Sequence, residues 1–167
     1  MASIDPDSLP YRPCVGIVLL NEMGQIWVGR RFEDLVQMEV QKRWQMPQGG
    51  IDKGEEAETA ALRELYEETG VSSVKILAQS QDWIKYDLPA EAVGKALKGK
   101  YRGQQQKWFA MRFTGRDDEI NLKPDGHKQE FDAWRWVDPG EVLDLIVGFK
   151  RPTYEVILRE FREFLAS

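Results

Sequence analysis

The segment covering residues 49–71 constrains the fold more than any other part of the chain. It begins with a pair of glycines, continues through a stretch rich in alanine, leucine and glutamate, and meets another glycine at Gly70. Such residues favour helix, and glycine is common just after a helix C-terminus. We therefore predict a helix over 52–69, with Gly70 as its C-cap and with Asp52 and Glu55 as a capping box at its start.

Strand patterns precede and follow this helix. The apolar runs 14–20 and 25–31 flank a turn and predict a hairpin, and 44–46 predicts a short strand that ends at Pro47 and the glycine pair. Further strands are predicted at 74–77, 83–86, 105–113 and 131–137. Residues 138–147 predict a short helix, and Pro152 opens a last one. Its apolar face is predicted to contain Val156, Ile157, Phe161, Phe164 and Leu165. The order of elements predicts an α+β fold, a mixed β-sheet sandwiched between α-helices.

Composition limits the class of protein. A chain of 167 residues that is 42% hydrophobic suits one domain over 11–167, preceded by a polar segment over 1–10. A formal charge of −5 argues against binding to long nucleic acid. The single cysteine, Cys14, excludes an intrachain disulfide and a thiolate zinc cluster. Without a signal peptide or a long apolar run, we expect a cytoplasmic protein that does not enter membranes.

The central helix carries three closely spaced carboxylates. At about 100° per residue, Glu64, Glu67 and Glu68 fall on one side of the helix. Leu62, Leu65 and Thr69 are predicted on the opposite side, facing the core, with Ala57 and Ala60 on the carboxylate side. Carboxylates at this spacing repel one another, and an ordinary solvated acidic face is one explanation. The other is a hard divalent cation, which prefers oxygen ligands and points to phosphate chemistry. Arg63 precedes the cluster and can pair with Glu67 at i+4.

The full pattern favours the second explanation. Gly49-x5-Glu55-x7-Arg63-Glu64-Leu65-x-Glu67-Glu68-x-Gly70-Val71 resembles a complete Nudix box. The flanking sequences 11–13, 44–50, 106–109, 130–136 and 149–151 resemble those of the bacterial RNA pyrophosphohydrolases, which are similar to the dinucleoside polyphosphate (Ap4A) hydrolases. The connection over 32–43 is longer than is usual in that group. The resemblance implies the Nudix fold and hydrolysis of a phosphoanhydride bond.

By this resemblance, Glu64, Glu67 and Glu68 would hold two or three Mg²⁺ or Mn²⁺ ions, and one of them would take the proton of the attacking water. The backbone carbonyl of Gln48 and the carboxylate of Glu130 are further expected metal ligands, with an ordinary surface acid as the alternative for Glu130. The remaining charged pair of the box, Arg63 and Glu55, would orient the catalytic loop and helix, or form a simple surface ion pair.

The resemblance also implies residues that bind the substrate. Arg12, Lys107 and Lys150 match positions near the phosphates, although each could be an ordinary surface cation. Val147 and Phe149 match positions beside the base-binding cleft. Phe149 could stack on a base and Tyr154 could face the substrate, or both could be packing residues. His127 stands alone in a loop, and we expect no role for it.

Three functions remain open from the sequence. The first is removal of pyrophosphate from the 5′-triphosphate end of RNA, which leaves a monophosphate. The second is the same chemistry on free dinucleoside polyphosphates such as Ap4A. The third is a non-catalytic nucleotide-binding module on the same scaffold, but such modules usually lose box glutamates, and all of them are present here.

Overall fold

A computed structural model of the chain describes residues 5–31, 43–94, 99–146 and 148–166, with the backbone but not the side chain of Phe149. The strands are β1 (Tyr11–Leu20), β2 (Ile26–Arg31), β3 (Trp44–Gln45), β4 (Gln48–Gly50), β5 (Val74–Gln79), β6 (Ile84–Asp87), β7 (Gly103–Phe113) and β8 (Phe131–Val137). The helices are α1 (Ala57–Thr69), α2 (Pro139–Leu145) and α3 (Arg151–Glu160). Most of the longer connection over 32–43 lies outside the described residues.

Strand β1 lies at the centre of one mixed sheet. It pairs in parallel with β7 along its whole length, from Tyr11 opposite Gly103 to Leu20 opposite Arg112. Its other edge pairs with β4 near its start and with β2 at its end, both antiparallel. Strand β8 extends the sheet beyond β2, while β5 and β6 extend it beyond β7.

The side chains of β1 alternate between two separate cores. Val15, Ile17 and Leu19 pack on the face covered by α1, while Val18 and Leu20 pack on the face covered by α2 and α3. Because neighbouring strand residues point to opposite faces, a strand buried on both sides is a continuous apolar run, as in the sequence. The predicted α+β sandwich of helices around a mixed sheet is confirmed.

The central helix begins five residues later than predicted. Gly54 has a φ of +79°, a left-handed conformation that a helix cannot continue through. The chain instead forms a tight turn in which the Glu55 N–H donates to the Asp52 carbonyl at 2.9 Å. Helix α1 then starts at Ala57 with Glu56 as an N-cap that makes no side-chain capping bond. The C-cap at Gly70, with a φ of +73°, is as predicted.

Two other sequence predictions are wrong in detail. The glycine pair, predicted to end strand structure, itself lies in a strand, because Gly49 and Gly50 belong to β4 and pair with Val15 and Cys14 of β1. A strand residue needs no side chain where another element packs directly on the backbone. In the last helix, Val156 is 44% exposed and lies off the apolar face that buries Ile157.

Across the described residues, none of the helices combines the length and apolar character that crossing a membrane requires.

Candidate active site

Helix α1 carries carboxylates on the side that faces the sheet. Its buried residues are Ala60, Ala61, Leu65, Glu68 and Thr69. Leu62, predicted to face the core, is 39% exposed. Of the two alanines predicted on the carboxylate side, Ala60 is fully buried in the core and Ala57 is partly buried against it. The buried side of α1 therefore includes Glu68 as well as apolar residues. As a result, Glu64 and Glu68 both contact β4, at Gly49 and Gln48 respectively.

The carboxylate of Glu68 is almost completely buried. The residue is 6% exposed, and its Oε2 accepts a hydrogen bond from the backbone N–H of Gln48 at 3.1 Å. Burial raises the pKa of Glu68 well above its ordinary value, and the negative charges of Glu64 and Glu130 raise it further. A buried carboxylate with two carboxylate neighbours is a place where a cation would be strongly stabilised.

Glu64 lies directly against the glycine strand. A Cβ atom at Gly49 would collide with the Glu64 carboxylate, so a larger residue there would displace this carboxylate from its position. Burial raises the pKa of Glu64, while its bond from the Arg63 guanidinium, Nη1 to Oε1 at 2.8 Å, acts in the opposite direction. The glycine in the motif is thus explained by contact with a site carboxylate.

Arg63 joins the turn, the strand and the helix. It donates to both carboxylate oxygens of Glu55 at 2.8 Å, to the Gly50 carbonyl at 2.9 Å and to Glu67 at 3.2 Å. This bidentate pair, helped by the Asp52 N–H, lowers the pKa of Glu55 to about 2. The pairs of Arg63 with Glu55 and with Glu67 are both present, as expected from the sequence.

The carboxylates border a cavity of about 120 Å³. Its lining residues are Glu64, Glu67, Glu68, His127, Lys128 and Glu130. Glu130 thus reaches the box glutamates from its position before β8, and its Oε2 is also 3.8 Å from Arg31. The structure brings together all four carboxylates that the sequence analysis assigned to metal binding, with Gln48 beside them.

These residues fit a hard divalent cation by the chemistry of their donors. Four carboxylates surround one small cavity, and the most deeply buried of them, Glu68, has carboxylate neighbours on two sides. Among the described residues, no three acidic, cysteine or histidine side chains are already close enough to form a metal site. Arg63 engages Glu64 and Glu67, so coordination by these two would require them to turn part of their oxygen atoms away from the guanidinium.

Two of the predicted phosphate-binding cations lie beside the carboxylates. The Arg12 guanidinium covers Gly50, where any Cβ would collide with it. The Lys150 Nζ donates to Gln45 Oε1 at 3.3 Å, and its burial, together with the charge of Arg31, lowers its pKa to about 8. The described contacts of Lys107 are different, with Nζ donating to the Gln81 carbonyl at 3.1 Å and lying 5.5 Å from the Trp83 ring centre. They do not bring Lys107 to the cavity.

Of the residues predicted to contact the base or the substrate near it, the structure describes the side chain of Tyr154. Tyr154 is 1% exposed, packs edge-to-face on Trp108, and accepts a hydrogen bond from the Met46 N–H at 3.0 Å. It is a core residue, as the packing alternative stated, because its ring closes the core between α3 and the sheet. Val147 and the side chain of Phe149 lie outside the described residues.

Two polar features near the site were not predicted from the sequence. One is a pair of buried glutamines in β7, where Gln106 donates to Gln104 at 2.7 Å and accepts from the Trp108 Nε1–H at 2.9 Å. Gln106 also lies 3.5 Å from the Gln48 side chain, next to the Glu68 contact. The available signal was a run of three glutamines, Gln104 to Gln106, inside an otherwise largely apolar strand. The other feature is His127, which lines the cavity although it stands alone in the sequence.

Comparisons with known proteins agree with this geometry. A NUDIX domain profile matches residues 10–159. The chain is 56% identical over 170 residues to the RNA pyrophosphohydrolase of Brucella ovis, covering 99% of this chain and 95% of the relative. It is also 56% identical over 168 residues to the protein of that name from Brucella anthropi, with 98% and 96% covered.

Solved structures show the same fold at much lower identity. The Ap4A hydrolase of C. elegans, in a binary complex, has a TM-score of 0.61 at 17% identity, covering 90% of this chain and 96% of that one. The dihydroneopterin triphosphate pyrophosphohydrolase of E. coli has a TM-score of 0.65 at 17% identity, covering 90% and 99%. At these identities the likeness concerns the fold alone.

Proposed function

This chain belongs to the Nudix hydrolase family, and from that premise we propose that it removes pyrophosphate from the 5′-triphosphate end of RNA, leaving a 5′-monophosphate. The observation that carries the choice of substrate is the 56% identity, over 99% of the chain, to a protein named RNA pyrophosphohydrolase. The row of carboxylates beside β4 supports the reaction class. A net charge of −5 suits an enzyme that binds only the terminus of an RNA chain. We also propose that it acts in the cytoplasm.

Nudix hydrolases use divalent metal ions. We propose Mg²⁺ or Mn²⁺ here, in two or three positions, held by Glu64, Glu67, Glu68 and Glu130 with the backbone of Gln48. When bound, such ions offset the negative charge of the phosphate oxygens and increase the acidity of the attacking water. The excess of carboxylates around the cavity supports this assignment.

The protein's own groups then position the reactants. The net reaction joins the oxygen of water to the phosphorus that stays on RNA, breaks the anhydride bond to the next phosphorus, and releases pyrophosphate. One of the glutamates of α1 accepts the proton of the water. The Gln48 N–H holds the Glu68 carboxylate in place. Arg63 joins the turn, β4 and α1 through its bonds to Glu55, Gly50 and Glu67. Such positioning supplies much of the rate in phosphoryl transfer.

Substrate binding requires positive charge outside the carboxylate cluster. We assign Arg12 and Lys150 to the phosphates, since Arg12 covers Gly50 of β4 and the charge of Lys150 interacts with that of Glu68. Lys107 stays a proposal with weaker support, because its amine contacts Gln81 and Trp83. Val147 and Phe149 stay proposals for contact with the first base.

Hydrolysis of dinucleoside polyphosphates is the second candidate, because it uses the same site and the same bond type. Separate kinetic measurements on the two substrates distinguish these functions. The wild-type protein is incubated with Mg²⁺ or Mn²⁺ and either 5′-triphosphorylated RNA or Ap4A, and the products are resolved by chromatography. We expect pyrophosphate and 5′-monophosphate RNA, with a higher kcat/KM on RNA.

Three results would count against the proposal. A higher kcat/KM on Ap4A would reverse the order of the two substrates. Retention of activity in a Glu67→Gln variant would remove this glutamate from the mechanism. Absence of turnover on both substrates with both metals would favour a binding module.

A further inference from the structure

The loop over 121–130 forms the outer wall of the carboxylate cavity. Of the six residues that line this cavity, four are glutamates, and the other two, His127 and Lys128, come from this loop. Among the described residues that line the cavity, these two are the ones whose side chains carry nitrogen atoms able to donate hydrogen bonds. Neither residue belongs to the Nudix box, and the sequence analysis gave His127 no role.

The loop is held against α1 at a fixed distance. Its first residue, Asn121, donates its backbone N–H to the Thr69 carbonyl at 2.7 Å, at the C-terminal end of the helix. Further along, the His127 N–H donates to the Pro124 carbonyl at 3.1 Å and closes a tight turn. Gly126 occupies the third position of that turn with a φ of +83°, as a type II turn requires. The turn returns the chain toward the helix.

His127 is placed on the last turns of α1. Its ring meets Tyr66 edge-to-face, with ring centres 6.1 Å apart and an interplanar angle of 86°. Its Nδ1 lies 3.9 Å from Glu67 Oε1, which exceeds hydrogen-bond length. The side chain is 35% exposed, so the imidazole is held in position and is also accessible from the cavity.

The glutamates therefore lie between two groups of nitrogen donors. Glu64 and Glu68 face the sheet, where Arg12 covers Gly50 of β4 and Lys150 contacts Gln45 of β3, whereas Glu67 faces the loop with His127 and Lys128. A triphosphate carries negative charge along its whole length, and its inner and outer phosphates need donors at different places. Donors on one side alone would leave one end of it unbound.

We infer that His127 and Lys128 bind the outer phosphates, the ones that leave as pyrophosphate, while Arg12 and Lys150 bind the phosphate that stays on RNA. This inference rests on the proposed function and refines it. The lysine acts as a charge, and the imidazole donates a hydrogen bond from the position that Tyr66 gives it.

The test compares two lysines of the same loop. Lys128→Gln removes the charge at the cavity, and Lys123→Gln removes the same charge from an exposed position outside the described lining. Calorimetric titration of the Mg²⁺-loaded variants with inorganic pyrophosphate is expected to show about five- to tenfold weaker binding for Lys128→Gln and less than a twofold change for Lys123→Gln. Equal effects of the two substitutions, or none, would overturn the inference.

A substitution at His127 separates binding from packing. His127→Phe keeps a ring against Tyr66 but loses the hydrogen-bond donor, and we expect about threefold weaker pyrophosphate binding. Pyrophosphate binding equal to wild type would show that the ring only packs. Titration with Mn²⁺ alone is expected to show no loss of affinity for His127→Phe or Lys128→Gln, and removal of the Lys128 charge can only favour a cation. Weaker Mn²⁺ binding by either variant would overturn the inference, because it would assign these residues to the metal.

The design keeps this inference apart from the proposed function. If the wild-type protein releases no pyrophosphate from triphosphorylated RNA, the proposed function fails. The pyrophosphate titration still decides the role of the loop in that case, because it uses no RNA and no turnover.

Discussion

Helices α1 and α3 cover opposite faces of one sheet, but they bury different side chains. Helix α3 buries Tyr154 and Ile157, and Phe161 follows directly after it, so that face is filled with large apolar groups. Helix α1 buries two alanines and a single leucine, and the next buried position in line is the carboxylate of Glu68. Helix α1 therefore has a carboxylate, that of Glu68, at a buried position where an apolar side chain would stabilise the fold.

This difference separates stability from chemistry in the molecule. Buried apolar groups stabilise a fold roughly in proportion to the area they remove from water. A buried carboxylate among carboxylates destabilises the protein unless a cation joins it. Substitutions of the buried apolar residues of α3 should therefore lower stability and leave catalysis unchanged, whereas substitutions of the glutamates of α1 should lower catalysis and leave stability unchanged.

The largest effect is expected for Glu68→Gln. The substitution keeps the volume and removes the buried charge, so we expect kcat to fall by about 10³-fold, or about 4 kcal/mol of transition-state stabilisation. Because burial raises the pKa of Glu68, its ionised form disfavours folding at neutral pH, and the metal-free variant should unfold at the same temperature as wild type or at a higher one. Kinetics on triphosphorylated RNA and thermal unfolding in EDTA measure the two effects.

Metal dependence provides the control for that variant. Mn²⁺ that binds only the folded state raises the unfolding temperature of wild type, and Glu68→Gln should lose most of this increase. A variant that unfolds at a lower temperature in EDTA than wild type would contradict the comparison between the faces.

Ile157→Ala tests the opposite face. Ile157 of α3 is fully buried against the sheet. Removing its methyl and methylene groups should lower the free energy of unfolding by about 2–5 kcal/mol. The folded variant should keep a kcat within about twofold of wild type at low temperature. Denaturant unfolding and kinetics measure both. A large fall in kcat with unchanged stability would mean that this face also serves the chemistry.

The sequence predicted the sandwich and most strand positions because both depend on local pattern. The apolar run over 14–20 is buried throughout in β1, and β8 (Phe131–Val137) has the bounds that were predicted. The helix start was missed because one left-handed residue, Gly54, interrupts a stretch of good helix formers. Leu62 was misplaced because helical spacing gives the faces but not which of them meets the sheet.

For the site, the sequence was informative where function fixes spacing along one helix. The glutamates of α1 and the pair Arg63–Glu55 follow from the box. The wall of His127 and Lys128 depends on a turn that brings a distant loop back to α1, and no local pattern encodes that approach. Tyr154 was uncertain for the same reason, because its neighbours come from other elements.

Alanine substitutions at two glycines, one on each face of the sheet, form a matched pair with effects of intermediate size. A Cβ at Gly49 would strike the Glu64 carboxylate, and a Cβ at Gly16 would strike the Trp108 ring in the α3-side core. Gly49→Ala should therefore lower kcat by about 10- to 100-fold through displacement of Glu64. Gly16→Ala should lower the free energy of unfolding by about 1–3 kcal/mol through overpacking. Kinetics and denaturant unfolding of both variants measure the pair. If the two alanines had the same profile, the division between the faces would be lost.

The smallest effect concerns the turn that supports α1, and it depends on pH. The bonds from Arg63, with help from the Asp52 N–H, lower the pKa of Glu55 from 4.5 to about 2. A carboxylate whose pKa is lower in the folded state stabilises the fold fully above its unfolded pKa and loses this contribution as the pH falls through its folded pKa. Wild type should therefore be more stable than Glu55→Gln above pH 4.5, and the difference should vanish as the pH approaches about 2. Denaturant unfolding across this range measures the difference.

Glu56→Gln is the control, since Glu56 makes no side-chain capping bond, and the stability of this variant should follow that of wild type at every pH. A difference between wild type and Glu55→Gln that stayed constant with pH would show that the Arg63 pair positions the turn without stabilising it.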